Sequence, residues 1–177
     1  MLTKLAARLG RADRSRERFL GIVRGATPAQ QAFRPGPGAW SMLDVTEHLV
    51  LAEEKSLLGM LKGPPPGTSV SLVARVRMTL VLLVLRTSLR VKVPVSRVIP
   101  QGGVTLPELE GRWREARRGL EQFLESIGPA EMGRARFRHP IGGWVTIERG
   151  LTFYAAHIDH HARQVERIQR SGDYPSP

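Results

Sequence analysis

Three of the chain's five histidines fall inside five residues, in the stretch HIDHHARQVERI from His157 to Ile168. Core packing does not call for imidazole, and a solvated helix face is more cheaply built from Arg or Glu. What imidazole offers is proton exchange near neutral pH and metal ligation. An α-helix turns ~100° per residue, so positions i and i+4 lie ~40° apart on one face. His157 and His161 are such a pair, and their rings can meet one ion. Measured from the middle of the apolar seam of this segment, His161 falls ~30° away and His157 ~70° away. His160 comes out ~130° away, toward solvent or another helix. Periodicity therefore selects His157 and His161 over the other pairings.

A third imidazole lies far upstream in the segment SMLDVTEHLVLAEE. There His48 sits at the edge of the stripe Val45, Leu49, Ala52, Ser56. The small Ala52 and Ser56 leave room between helices for an ion. Asp44, one turn before His48, is placed to accept its free N–H, the kind of bond that fixes a ligand's tautomer. Three His ligands leave a coordination position for water or substrate, as in catalytic sites and unlike closed structural ones. The chain has no cysteine. Disulfides, thiolate nucleophiles and Cys-based zinc sites are therefore excluded, and any metal must be held by His, carboxylate or amide groups. The other polar residues nearby have simpler readings. His139 precedes Pro140 in a loop, Arg163 and Gln164 read most simply as solvent-facing helix residues, and Tyr154 as core. These four, with Asp44 and His160, are also the candidates for groups that back the ligands or line the pocket.

The elements that must position these groups are helical. A first helix runs from about Leu2 to Val23 and ends near Gly25. The segment TPAQQAFRPGPGAW reads as a loop, broken by its prolines and glycines. Ser41 opens a second helix, with Asp44 completing a capping-box pattern. The apolar and basic stretch Val70 to Val91 reads as a further helical piece, and its MTLVLLVL core as a buried helix in preference to the alternative of a membrane-surface helix. KVPVSRVIPQGG then leads out as extended chain. Thr105, Pro107 and Glu108 start a third bundle helix, whose seam is Leu109, Trp113, Ala116, Leu120, Phe123, Ile127. A fourth runs from about Thr146 to Arg170, with seam Ile147, Leu151, Tyr154, Ile158, His161, Val165, Ile168. Seams of this 3-4 spacing mark helices packed nearly parallel or antiparallel in a bundle. No alternating strand pattern competes. The expectation is an all-α four-helix bundle, a single domain over residues 1–177, with an extra helical insert between the second and third bundle helices.

Composition narrows the partners. The net charge of +11 suggests nucleic acid. Yet arginines are spread along nearly the whole chain and aromatics total 6%, so specific nucleic-acid binding is not expected. The longest apolar run falls far short of the ~20 residues of a spanning helix. The amino-terminal residues lack the apolar core of a secretory signal, which points to a cytoplasmic protein.

Two segments in combination, AWSMLDVTEHLVLAEE and FRHPIGGWVTIERGLTFYAAHIDHHARQVERI, closely resemble the DinB-like superfamily with its YfiT-type members. The shared features are a W-S-x-x-[DE]-x-x-x-H start, an H-P-x-x-G loop and an H-x-x-H-H-x-x-Q final helix, and the likeness extends over most of the chain. The resemblance implies a four-helix bundle in which His48, His157 and His161 bind a divalent metal, with zinc or nickel expected. It further implies a metal-dependent enzyme of thiol S-transferase or hydrolase type acting on a small molecule. In the first case the thiol is a low-molecular-weight cosubstrate, and Arg163 or His139 near the opening would hold its carboxylates. A non-catalytic metal- or ligand-binding bundle, dimeric through the Val70 to Val91 insert, is the second reading. A basic nucleic-acid binder with incidental histidines is the third.

Overall fold

The computed structural model describes residues 1–87 and 96–176. Four long helices make the bundle: α1 (Thr3–Arg24), α3 (Met42–Lys62), α5 (Leu106–Glu125) and α6 (Ile147–Gln169). Between α1 and α3 lies the short α2 (Pro28–Ala32), and α4 (Leu72–Leu85) follows α3. A hairpin of β1 (Phe137–His139) and β2 (Gly143–Val145) joins α5 to α6. Within the bundle α1 packs on α6, α3 packs on α5, and α3 also meets α6. The insert helix α4 lies outside this set, against α6 and β2.

Each boundary has a local cause. Ser41 caps α3 by accepting from the Asp44 N–H at 3.1 Å, while the Asp44 carboxylate accepts from the Ser41 N–H at 2.8 Å. Glu108 accepts from the Thr105 N–H at 2.8 Å at the start of α5, with Pro107 placed where its missing N–H costs nothing. Three sequence expectations need correction. Pro28–Ala32 is helical, because Thr27 and Gln30 form a reciprocal cap ahead of the Pro/Gly run. A β-hairpin exists, its strands being three residues each and too short to register as alternation. Helix α4 is not a buried helix: Ala74, Met78, Leu82 and Leu85 form a buried stripe, whereas Leu72, Val76, Leu80 and Leu83 face outward. The end of the Val70 to Val91 stretch lies outside the described residues.

Among the described residues the buried hydrophobics form two clusters. Leu5, Leu9, Leu120, Phe123, Leu151 and Tyr154 belong to one, and Phe19, Val45, Leu49, Leu109, Trp113, Ile158 and Val165 to the other. Arg117 of α5 lies buried among the polar groups of this interior. Its guanidinium donates from Nε and Nη2 to both Glu53 oxygens of α3 at 2.7 Å, and from Nη1 to Asp13 of α1 at 3.2 Å. It also lies over the Tyr154 ring of α6, 5.6 Å from the centroid. One side chain thus touches all the other bundle helices. Glu53 and Asp13 hold the guanidinium charged against the cost of burial, and its pKa is raised.

Removing one partner of a buried ion pair leaves the other uncompensated, which costs about 3–5 kcal/mol. Arg117→Leu is therefore expected to lower unfolding free energy by that amount in urea titrations. The double variant Arg117→Leu with Glu53→Leu should recover most of the loss.

Candidate metal centre

Helix α3 presents His48 and helix α6 presents His157 and His161, and the three rings meet between the helices. Nε2 of His157 is 3.2 Å from Nε2 of His48 and 3.1 Å from Nε2 of His161. The ring centroids are 4.7 to 5.1 Å apart. Among the described residues, this is the group of His, Asp and Glu whose donor atoms come close enough together to hold an ion.

The outer nitrogens decide where the protons are. His48 Nδ1 donates to the carbonyl of Val98 at 2.7 Å, and His161 Nδ1 donates to Gln164 Oε1 at 2.7 Å. Both rings therefore carry their proton on Nδ1 and direct a bare Nε2 lone pair inward. His157 Nε2 has at most one proton to offer, so two converging lone pairs cannot both be well satisfied within the protein. Burial lowers the pKa of all three rings, and the mutual repulsion of positive charges adds to it for His157 and His161. Neutral, inward-facing imidazoles at 3.1 and 3.2 Å fit a divalent cation, since ~2.0–2.1 Å bonds in tetrahedral array place nitrogens about 3.3 Å apart. The donor set matches the group.

The surroundings differ from the sequence reading in several places. Asp44 does not reach His48. Its carboxylate is committed to Ser41 and to Arg34 at 2.9 Å, because a residue three past the cap is drawn back to the helix start. The partner of His48 is instead the Val98 carbonyl, at the end of a 3₁₀ turn spanning Ser96–Val98. Glu47 holds the segment that follows, accepting from the N–H groups of Gln101 at 3.2 Å and Gly102 at 2.9 Å. Gln164, a candidate neighbour of the ligands whose simplest reading from sequence is a solvated helix residue, is the partner of His161. Arg163 does not point to the mouth of the site. Its Nη2 donates to the carbonyls of Leu85 and Thr87, closing the C-terminal end of α4. His160 is buried and turns to the same end of α4, where the backbone of Thr87 and Leu85 contacts it. Tyr154 is core, as expected, and its hydroxyl donates to Ser56 Oγ at 2.8 Å.

His139 is buried in the hairpin and one ring removed from the histidine cluster. It packs edge-on against Phe153 at 4.6 Å, and Phe153 stacks on His157 at 4.9 Å with an 18° interplanar angle. Trp40 flanks His48 at 5.0 Å. Sequence reasoning missed Val98, Glu47, Phe153 and Trp40 as neighbours of the site. A carbonyl carries no residue-type signal, but Gln164 had one: it stands three residues after His161, on the same helix face.

A sequence profile of the DinB superfamily matches residues 11–165. The chain belongs to the DinB superfamily. Two solved structures share the fold of this DinB protein. One is TT2238, described as a four-helix bundle protein, at 21% identity and TM-score 0.60, covering 92% of this chain and 98% of that one. The other is YfiT from Bacillus subtilis, described as "a probable metal-dependent hydrolase with an unusual four-helix bundle topology". It is 14% identical with TM-score 0.55, over 99% of this chain and 91% of that one. No curated protein matches the sequence significantly. Among the described residues, no helix is long and apolar enough to cross a membrane.

The hairpin histidine generates a pH prediction. His139 Nδ1 accepts from the N–H groups of Ile141 at 3.2 Å and Gly142 at 2.9 Å, and burial pushes its pKa down to about 4 from 6.5. The unfolded chain then binds a proton that the folded chain refuses, so this stability is intact above pH 6.5 and falls between 6.5 and about 4. In His139→Asn, whose side-chain oxygen can accept the same two bonds, the acid-side decline should be shallower by about 2–3 kcal/mol. Urea melts across this range are the measurement.

Proposed function

We propose that the protein is a divalent-metal-dependent enzyme acting on a small molecule, with His48, His157 and His161 as metal ligands and a further coordination position open to reactant. The observation that carries this reading is the convergence of three Nε2 atoms while the outer nitrogens of His48 and His161 are tied to oxygen. A bound divalent metal supplies Lewis acidity and makes a nucleophile of water or a thiol at neutral pH. The chain's own part is to hold the ligands. Val98 and Gln164 fix two tautomers, and Phe153 buttresses the third ring by stacking. Trp40 and Phe153, both half-buried, provide an aromatic wall suited to a partly apolar substrate.

Nearby carboxylates are engaged elsewhere, Asp44 in its cap and Glu47 on the Gln101–Gly102 backbone. The reaction classes this site suits are hydrolysis and transfer to a thiol. With no cysteine in the chain, any thiol is a low-molecular-weight cosubstrate. The description of YfiT supports the hydrolytic branch.

Metal analysis of untagged protein tests the ligand set. His48→Ala, His157→Ala and His161→Ala should each lose metal steeply, and His160→Ala should retain it. Gln164→Ala should weaken affinity about 10- to 100-fold, the usual cost of removing a ligand's orienting partner. Equal loss from all four histidine variants would refute the assignment. Chelation should leave far-UV dichroism intact, since both apolar clusters persist without metal. Metal-loaded protein is then assayed on activated esters and amides, and on electrophiles with added thiol. Turnover that needs metal but no thiol identifies a hydrolase, and thiol-dependent turnover identifies a transferase. Metal binding with no turnover and no exogenous ligand at the metal would reject the enzyme reading.

A further inference from the structure

Helix α4 has two apolar faces, and one of them is left exposed among the described residues. Ala74, Met78, Leu82 and Leu85 pack inward on α6 and the hairpin. On the opposite side Leu72, Val73, Val76, Leu80 and Leu83 are 49% to 76% exposed. A single exposed leucine needs no explanation, but three leucines and two valines on one face of a 14-residue helix do. By helical arithmetic Arg75 and Arg86 flank this face on one side and Arg77 on the other.

The sequence segment that carries this helix has charge of one sign. From Lys55 to Pro107 the sequence holds eight basic residues, Lys55, Lys62, Arg75, Arg77, Arg86, Arg90, Lys92 and Arg97, and no Asp or Glu. Beside the start of α4 is a cleft of about 290 Å³, lined by Arg77, Arg138, Ser69 and Ser71 among others. Neither arginine of the cleft has an ion-pair partner among the described residues.

We infer that α4 docks on an anionic phospholipid surface, lying flat with its outer leucines and valines in the acyl boundary and its arginines on lipid phosphates. A helix of about 21 Å cannot span a bilayer but can lie in its interface. An apolar strip edged by cations, with no acidic side chain in the segment, complements a negative membrane surface. A second copy fits less well, since a two-fold contact would set the two rows of arginines against each other. Nucleic acid fits less well too, because the middle of the face is aliphatic and offers bases no aromatic platform.

The test uses full-length protein and sedimentation with vesicles of phosphatidylcholine, alone or with about one-third phosphatidylglycerol. Binding is expected to the anionic vesicles only, and to weaken in high salt. Leu80→Glu combined with Leu83→Glu should abolish it with far-UV dichroism unchanged. Arg77→Gln and Arg138→Gln should each weaken partitioning roughly fivefold, and this pair carries the test if the leucine variant loses helicity. The inference is overturned if anionic vesicles do not bind, or if neither set of variants weakens binding. It is likewise overturned if the vesicles do not bind but sedimentation velocity shows a dimer that the leucine variant dissolves, or duplex DNA binding that it removes.

Discussion

Everything at the histidine cluster depends on the relative register of α3 and α6, and one buried guanidinium sets it. Arg117 grips Glu53, five residues after His48, and lies over Tyr154, three residues before His157. The Tyr154 hydroxyl then bonds Ser56 of α3 directly. A slide of one helix turn along α6 moves a side chain by ~5.4 Å, far more than the 3.2 Å that separates His48 from His157. Apolar seams alone tolerate such slips, because leucine against leucine is nearly indifferent to which pair meets. A buried charge is not indifferent, since leaving it unpaired costs several kcal/mol. The polar contacts among Arg117, Glu53, Asp13 and Tyr154 thus give the bundle a specificity that its two apolar clusters lack.

Register brings the rings together, but rotation of each ring needs a second constraint. For His161 that constraint is local, a glutamine one turn along the same helix. For His48 it comes from a segment more than forty residues downstream, through the Val98 carbonyl. This segment is itself held by Glu47, the neighbour of His48, on the backbone of Gln101 and Gly102. Adjacent residues on α3 therefore divide the work: one faces the cluster, and the other anchors the chain that orients it. The stretch from Val98 to Gly102 ahead of α5 is part of the site's construction and not only a connection.

The contrast between legible and illegible features follows from this. The four long helices and the pairing of His157 with His161 were readable because a 3.6-residue period is a repeated signal, reinforced at each turn by Leu109, Trp113, Leu120 or Leu151, Ile158, Val165. The β-hairpin, at three residues a strand, offers no repetition to read. Asp44 was misassigned because its spacing suits both a cap and a bond to His48, and spacing cannot show that the cap wins. The role of Val98 was hidden for a deeper reason. Its contribution is a backbone oxygen, which any residue would supply, delivered across a distance that only the folded chain closes. The outer face of α4 was hidden because MTLVLLVL is apolar all round, and hydropathy does not say which side finds a partner.

Helix α6 shows how far one period can be made to serve. Its Tyr154, Ile158 and Val165 face the bundle core, and His157 and His161 stand at the edge of that stripe toward α3. His160 and Arg163 leave by another side, toward the end of α4, where Arg163 takes the carbonyls of Leu85 and Thr87. These assignments interleave between Tyr154 and Val165, and the insert helix and the histidine cluster are attached to the same two turns, from His157 to Arg163. The last carbonyls of a helix need donors from somewhere, and α4 draws them from beside the cluster. Its placement against α6 and the hairpin is therefore fixed by polar bonds at its end as well as by the Met78 and Leu82 stripe. That double attachment is what allows α4 to keep five apolar side chains outward: its position does not rely on burying them.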